Sequence, residues 1–426
     1  MSIFSTLYIG MSGMRTHESA IGVIGNNIAN VNTIGYKGSR AVFADLLSAN
    51  VLGSAGASQA GQGAALATVQ RIVTQGAFLG TNIATDLAIS GDGYFIADDA
   101  NGGRFYTRNG QLQMDNEGYL TTVDNMRLQG YAANADGTFA TGISALHVGD
   151  ATAPPSPTGS IALVVNLDRD DALTTFDVTD PAAAASSSHT GQVTVYDSLG
   201  AAHVLDVYYS QTSPGEWTWN AVAPQGDLDG TTDTTPTVVA SGTLSFDAEG
   251  KLTAETQAQS NVTFSGANPQ DLLFDFGEET ANGGDGSGSS SYAAASSNSF
   301  VDQDGFGVGN LQFVEIGTDG VITGTFSNGQ DRPLGQMALA RFGSSYALNA
   351  VGGNKFTETL TSGEPAIGTA GNGGRGDILS GALEQSNVDL TNEFTELILA
   401  QRGFQASSRI ITTADEMLVE VVNLKR

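Results

Sequence analysis

Apolar residues near the N-terminus recur at alternating spacings of four and three positions. Kept over about four heptads, this spacing is typical of a helix that packs in a coiled coil. Gly10 and His17 stand at two positions of the row and weaken it, so the predicted contact face is imperfect. The row consists of Ile3, Leu7, Gly10, Met14, His17, Ile21, Ile24, Ile28 and Val31.

A second apolar row lies near the C-terminus, where large apolar residues fall seven positions apart. The segment SNVD at 386–389 precedes it and predicts a capped helix start. Gln401, Ser408 and Asp415 break the companion row, so this face is imperfect too. The row consists of Leu390, Leu397, Phe404, Ile411 and Leu418, with Phe394 and Val422 at the companion position.

Two interpretations of these helices are open. Either helix alone could simply cover the surface of its own domain, as most amphipathic helices do. Two matched rows at opposite ends of one chain favour a different arrangement, in which the terminal helices pair with each other. We therefore predict terminal coiled-coil helices.

The interior of the chain changes from helical to strand periodicity. Short runs with alternating apolar residues, such as DLAISGDGYFI (86–96) and GQVTVYDSLG (191–200), are separated by Gly-Asp, Asn-Gly and Glu-Gly pairs. These pairs are typical of hairpin turns. The predicted fold is mostly β with α-helical termini, and its two β-rich domains resemble a barrel or a sandwich.

Composition suggests where the domains meet. A proline-rich segment at 149–160 and a Gly/Ser-rich segment at 282–299 read as junctions. The layout is nested, because every domain except the innermost draws on two separated segments. The predicted parts are a helical domain of 1–33 and 386–426, connecting segments 34–70 and 360–385, a middle β-domain of 71–148 and 286–359, and an acidic β-domain of 149–285.

Charge and cysteine content narrow the function classes. The net charge is −28. The segment from Asp150 to Asp285 contains twenty acidic residues but only two basic ones. This charge disfavours binding to nucleic acid or to anionic membranes, because a protein binds either of them through basic residues on its surface. The chain has no cysteine, so disulfides and thiolate chemistry are excluded. Neither a cleaved signal peptide nor a membrane-inserted segment is predicted.

No catalytic, cofactor or metal site is predicted. GNGGRG at 371–376 has the spacing of a dinucleotide loop but lacks a preceding buried strand. The turns DLDG (227–230) and DQDG (302–305) do not continue as calcium-binding loops. The four histidines have no zinc-ligand spacing. The chain is therefore not expected to be an enzyme.

Glycine and asparagine give the N-terminal helix unusual properties. Gly10, Gly13, Gly22 and Gly25 each cost a helix about 1 kcal/mol relative to alanine. We therefore expect the terminal segments to be largely disordered in a free monomer and to order when copies meet. Asn27 and Asn30 lie on one polar face and could satisfy hydrogen bonds to several neighbours. The alternative is that this polar face of the N-terminal helix is simply exposed to solvent and that an ordinary C-cap ends the helix.

Long segments of the sequence resemble a known family. SGMRTHESAIGVIGNNIANVNTIGYKGSRAVF (12–43) is similar to the N-terminal signature of bacterial flagellar axial proteins of the rod and hook. IVTQGAFLGTNIATDLAISGDGYFI (72–96) and YTRNGQLQMDNEGYLTT (106–122) resemble the core motif of that family. Residues 381–426 resemble its C-terminal signature. Together these motifs cover about half of the chain.

The resemblance implies a function. The size of the chain and its acidic insert favour a structural subunit of the flagellar hook, polymerised into a flexible curved tube that transmits motor torque to the filament in motility. The implied partners are copies of the chain itself, rod, hook-cap and hook–filament junction proteins, and the flagellar type III export apparatus. The implied location is the hook and basal body, extracellular after export without signal cleavage.

The resemblance also assigns roles to the domains, with the helices as an inner polymerisation layer and the acidic β-domain outermost. Two alternatives stay open: a distal flagellar rod protein, and, from another class, a secreted acidic β-rich adhesin or hydrolase. The residues expected at the polymerisation interface are Ile3, Leu7, Met14, Ile21, Ile24, Asn27, Ile28, Asn30, Val31, Leu390, Phe394, Leu397, Phe404, Ile411, Leu418 and Val422.

Overall fold

The computed structural model describes residues 3–46, 49–53, 56–134, 136–183, 185–224, 226–229 and 236–423, with only the backbone for residues 3, 49–53, 56–60 and 259. The chain divides into two compact units. The first unit consists of Met1–Ala151, Phe313–Thr325 and Asp331–Arg426, and the second of Thr152–Gln312 and Phe326–Gln330.

Two long helices belong to the first unit, α1 (Ile3–Ala29) and α2 (Leu390–Asn423). They pack against each other in antiparallel orientation, since Gly10 of α1 lies beside Ile411 of α2 and Asn27 binds Glu393. Asp389 caps α2 by accepting hydrogen bonds from the amides of residues 391 and 392. The predicted pairing of the terminal helices is therefore present within one chain.

Before the second unit begins, twelve strands follow α1 among the described residues of the first unit. They are β1 (Ser39–Asp45), β2 (Ala49–Gly53), β3 (Gly56–Ala60), β4 (Ala64–Arg71), β5 (Phe78–Gly80), β6 (Leu87–Ser90), β7 (Tyr94–Asp98), β8 (Arg104–Thr107), β9 (Leu112–Met114), β10 (Leu120–Thr122), β11 (Arg127–Ala133) and β12 (Phe139–Ala145). β1 and β4 form a two-stranded antiparallel ribbon that packs on α1.

The second unit contains the strands β13 (Thr152–Ala153), β14 (Ser160–Asn166), β15 (His189–Tyr196), β16 (Ala202–Ser213), β17 (Glu216–Ala223), β18 (Thr237–Phe246), β19 (Leu252–Gln259), β20 (Asn261–Val262), β21 (Gln270–Asp271), β22 (Leu273–Asp275) and β23 (Ser297–Gln303). β15 to β19 form an antiparallel meander, and β22, β14 and β23 form a second sheet. Side chains from both sheets share one core around Trp217 and Trp219, so this unit is a sandwich.

The remaining strands are β24 (Gly309–Ile316), β25 (Val321–Phe326), β26 (Asp331–Arg341), β27 (Asn349–Gly352), β28 (Lys355–Thr357), β29 (Ala366–Thr369), β30 (Asp377–Ser380) and β31 (Ala382–Glu384). The first unit's large sheet has the order β24-β25-β26-β11-β7-β8-β28-β27. Short 3-10 helices occupy Thr280–Asn282 and Ser345–Ala347.

Turn chemistry explains the hairpins of the first unit. Between β9 and β10, the Asp115 carboxylate accepts hydrogen bonds from the amides of Glu117 and Tyr119. Gly118 follows with a positive φ of 81°, and a Cβ there would lie 2.7 Å from the Gly149 Cα atom. Only glycine fits this turn without strain.

The predicted fold class is confirmed: the structure is mostly β, with paired terminal helices and several antiparallel sheets. The finer division into four parts stays a prediction. No helix among the described residues has the length and apolar character needed to cross a membrane.

Candidate polymerisation surface

Small residues line the contact between the two helices. Ala400, Ser407 and Ala414 are the buried residues of α2, and they are spaced seven apart. Across from them on α1, a Cβ at Gly10 would lie 2.8 Å from Ile411 Cγ1, and one at Gly13 would lie 2.7 Å from Ser407 Oγ. The backbones therefore approach closely at this end of the pair.

His17 and Gly403 form a second close contact. A Cβ at Gly403 would overlap the imidazole ring of His17. The histidine that weakens the apolar row in the sequence is thus matched by a glycine on the opposite helix. The pair fixes the register of α1 on α2, because the ring fits only where the facing residue has no side chain.

Replacing one glycine of each helix by alanine should have opposite effects on the stability of the helical pair. Gly403→Ala should lower the helix content of the monomer, because the added methyl overlaps His17 and separates the helices. Gly22→Ala is the control: apart from its chain neighbours and the nearby backbone of α1 itself, no described atom lies within 4 Å of a Cβ there, so it should stabilise α1 by about 1 kcal/mol. Circular dichroism at 222 nm measures both. An equal gain from the two variants would contradict the packing described.

The structure distributes the predicted interface residues unevenly. Ile24 is buried. The partly buried members of the set are Leu7, Met14, Ile21, Ile28, Val31, Leu397, Ile411 and Leu418. Leu390, Phe394, Phe404 and Val422 remain exposed. The side chain of Ile3 lies outside the described residues. Contacts of these residues with other copies stay a prediction.

The asparagines form contacts within the chain. Asn27 is buried; its amide donates to the Ser39 carbonyl (2.7 Å) and to Glu393 Oε1 (3.0 Å), and its Oδ1 accepts from the Ser39 amide (2.9 Å). Asn30 donates to the Asn26 carbonyl (2.9 Å) at the end of the helix. Asn27 therefore fastens α1, the start of β1 and the first turn of α2 together.

Glu393 is the acidic partner in this contact. Burial raises the pKa of its carboxyl above the ordinary value, while the hydrogen bond from Asn27 acts in the opposite direction. The carboxylate lies in the first turn of α2, where the helix dipole favours a negative charge.

A further apolar row on α2, which the sequence analysis missed, remains uncovered. Its spacing was available as a signal, since Ile410 and Met417 are seven apart and Val421 follows four later. A soluble monomer rarely exposes a contiguous apolar row of this kind. The exposed members are Leu399, Ile410, Met417 and Val421.

The N-terminal helix carries a comparable row. Phe4 and Tyr8 are each 65% exposed, and Met11 is also exposed. Tyr8 and Met11 line a groove of about 590 Å³ between α1 and the β1–β4 ribbon, together with Leu46 and Leu66. A smaller groove of about 320 Å³ includes Thr6, Ile410 and Met417. Both helices thus present apolar surface beyond their mutual contact.

Histidines and carboxylates were candidates for a metal site. No group of three or more histidines and carboxylates among the described residues could hold a metal ion. His203 lies between Asp197 (3.3 Å) and Asp227 (3.2 Å) and stacks on Phe264 at 3.9 Å. Because each carboxylate faces a different ring nitrogen, this histidine fastens two loops of the second unit.

Family profiles match both ends of the chain and a long central part of it. They are described as Flagella basal body rod protein (residues 7–37), Flagellar hook protein FlgE/F/G D1 domain (88–195), Flagellar basal body protein FlaE D2 domain (166–306) and Flagellar basal body rod FlgEFG protein C-terminal (379–424). The first profile includes most of α1, and the last includes all of α2.

Full-length relatives agree with the profiles. The chain is 36% identical over 455 residues to the flagellar hook protein FlgE of Borreliella burgdorferi, covering 99% of each chain. It is 35% identical over 426 residues to that of Salmonella typhimurium, covering 97% and 98%. The crystal structure of Helicobacter pylori flagellar hook protein FlgE2 has 17% identity and a TM-score of 0.46, covering 72% of this chain and 100% of that one. The chain therefore belongs to the flagellar hook protein FlgE family, whose members are structural subunits of the flagellar hook in motility.

Proposed function

We propose that copies of this chain polymerise through α1 and α2 into a flexible curved tube that transmits torque from motor to filament. The exposed apolar row of α2 carries the proposal. Only one face of α2 packs on α1, whereas Leu399, Ile410, Met417 and Val421 have their apolar surface in solvent. A helix with two apolar faces is suited to two neighbours, and a second copy supplies the missing one.

The acidic second unit supports flexibility. It carries a large excess of acidic over basic residues, so charged contacts between copies there would be hydrated and weakly bonded. Hydrated polar contacts exchange at low cost, whereas large apolar contacts would resist sliding as a tube bends. This property favours a bending hook over a straight, rigid distal-rod shaft.

Further partners follow from the same proposal. A tube between motor and filament needs rod proteins at one end, junction proteins at the other and a cap during growth. Export through the flagellar type III apparatus requires an unfolded chain, and a chain without cysteine cannot be locked by disulfides.

Deletion of residues 1–33 tests the proposal. The full chain should form curved tubes in negative-stain electron micrographs, and the truncated chain should remain a soluble monomer with strand-type circular dichroism. The truncation removes α1, and none of the three apolar clusters that form the β-cores draws a residue from 1–33. Tubes formed by the truncated chain would contradict the proposal, and straight tubes from the full chain would favour a rod subunit.

A further inference from the structure

Three charged side chains are buried together where the helices join the β-structure of the first unit. Lys37, Arg108 and Glu384 are 4%, 5% and 0% exposed. Lys37 Nζ lies 2.6 Å from Glu384 Oε1, and Arg108 Nη1 lies 3.2 Å from Glu384 Oε2. This chain has only 17 basic residues, and two of them surround one buried carboxylate.

Backbone groups complete the network. Lys37 also donates to the Thr74 carbonyl at 2.8 Å, and the Gly76 amide donates to Glu384 Oε1 at 2.9 Å. Arg108 donates to the Gly91 carbonyl at 2.8 Å, and its guanidinium lies over the Tyr94 ring at 5.2 Å.

The three residues come from three different parts of the chain. Lys37 follows α1 and Glu384 ends β31 just before α2, whereas Arg108 follows β8 of the large sheet. The Gly35 amide donates to the Glu384 carbonyl at 2.7 Å. Gly35 has a φ of 69°, and a Cβ there would lie 2.8 Å from the Arg108 carbonyl carbon. The network thus joins the segment after α1 and the segment before α2 to one point at the end of β8.

Stability alone does not explain this network. Burial lowers the pKa of the Lys37 ammonium, although the Glu384 carboxylate opposes that shift. Two cations against one carboxylate leave a net positive charge away from water, and the buried Nε of Arg108 has no hydrogen-bond partner among the described residues. Well-packed apolar side chains commonly replace such networks with no loss of stability, or with a gain. What apolar side chains do not supply is direction: ion pairs and hydrogen bonds hold the three segments in one relative orientation.

We propose that Lys37, Arg108 and Glu384 are positioning residues for assembly, which set the direction in which α1 and α2 leave the β-structure. The inference rests on the proposed polymerisation through these helices. Regular tubes require every copy to present its helices at the same angle. An apolar joint of equal stability would allow several orientations, whereas the carboxylate must meet both cations and the Gly76 amide at once.

The triple variant Lys37→Met/Arg108→Met/Glu384→Leu separates positioning from stability. Its monomer should melt at the same temperature as the unmodified chain or higher, yet it should lose the ability to form tubes of uniform diameter and curvature. The single variant Glu384→Gln should lower the melting temperature, because two buried cations then lack their anion. Calorimetry of the monomer and electron microscopy of the assemblies measure the two properties.

The control is the exposed ion pair of Arg127 and Glu117 in the same unit. Arg127→Met/Glu117→Gln should change neither melting nor tube geometry. Regular tubes from the triple variant would overturn the inference, and so would an unfolded triple-variant monomer, which would show a stabilising role instead. Failure of the unmodified chain to form tubes would overturn the proposed function itself, so the two failures are distinguishable.

Discussion

Met417→Glu is expected to abolish polymerisation while leaving the monomer folded. Met417 is 55% exposed in the chain, so a charged side chain at this position remains hydrated in the monomer. In an assembly, the proposed second neighbour of α2 would remove it from water. Burying an unpaired carboxylate costs several kcal/mol, which corresponds to at least a hundredfold weaker contact between copies.

Gln405→Glu is the matched control for this variant. It adds the same charge to an exposed polar position of α2 without removing an apolar contact, and it should still assemble. Sedimentation of purified protein under polymerising conditions gives the assembled fraction, and circular dichroism checks that both monomers are folded. Tubes from Met417→Glu in normal yield would show that this row of α2 faces solvent in the assembly.

Trp219→Ala is expected to lower the free energy of unfolding of the second unit by about 3–5 kcal/mol. The indole is buried, with its ring centroid 4.8 Å from that of Phe274 and 5.2 Å from that of Phe276. Removing it leaves a cavity between the two sheets of the sandwich. The helical pair should keep its circular dichroism signal, because none of its residues contributes to this core.

Fluorescence makes this variant straightforward to measure. The chain has two tryptophans, and both lie in the second unit, so Trp217 alone reports on that unit once Trp219 is replaced. Leu199→Ala is the control, because Leu199 is exposed in the same unit and surface substitutions change stability by no more than about 0.5 kcal/mol. Equal denaturant midpoints for the two variants would contradict the described core.

Local patterns predicted much of the architecture. The helical rows around Ile21 and Ile411 led to two paired helices, because a spacing of three and four places apolar side chains on one helical face. Hairpins were predicted from Gly-Asp, Asn-Gly and Glu-Gly pairs. The family resemblance also led to a structural hook subunit, and the full-length relatives confirm that prediction.

Other features were not visible in local patterns. The sequence analysis placed Asn27 on a face between copies, which stays a prediction, but it did not foresee that the Asn27 amide binds Ser39 and Glu393 within the chain. In the sequence His17 only weakens the apolar row, whereas in the structure its ring packs against Gly403 of α2. Each of these contacts joins residues far apart in sequence, and no spacing rule relates them.

The amino-acid sequence by itself determined the kinds of element, their order and the family, because each depends on residues close together or on long matching segments. Tertiary structure alone decided which side chains meet. Lys37 and Glu384 are 347 positions apart and Arg108 and Glu384 are 276 apart, yet they share one buried site. Such a site exists only when the whole chain excludes water from it, since three exposed charges would interact weakly and need no common position.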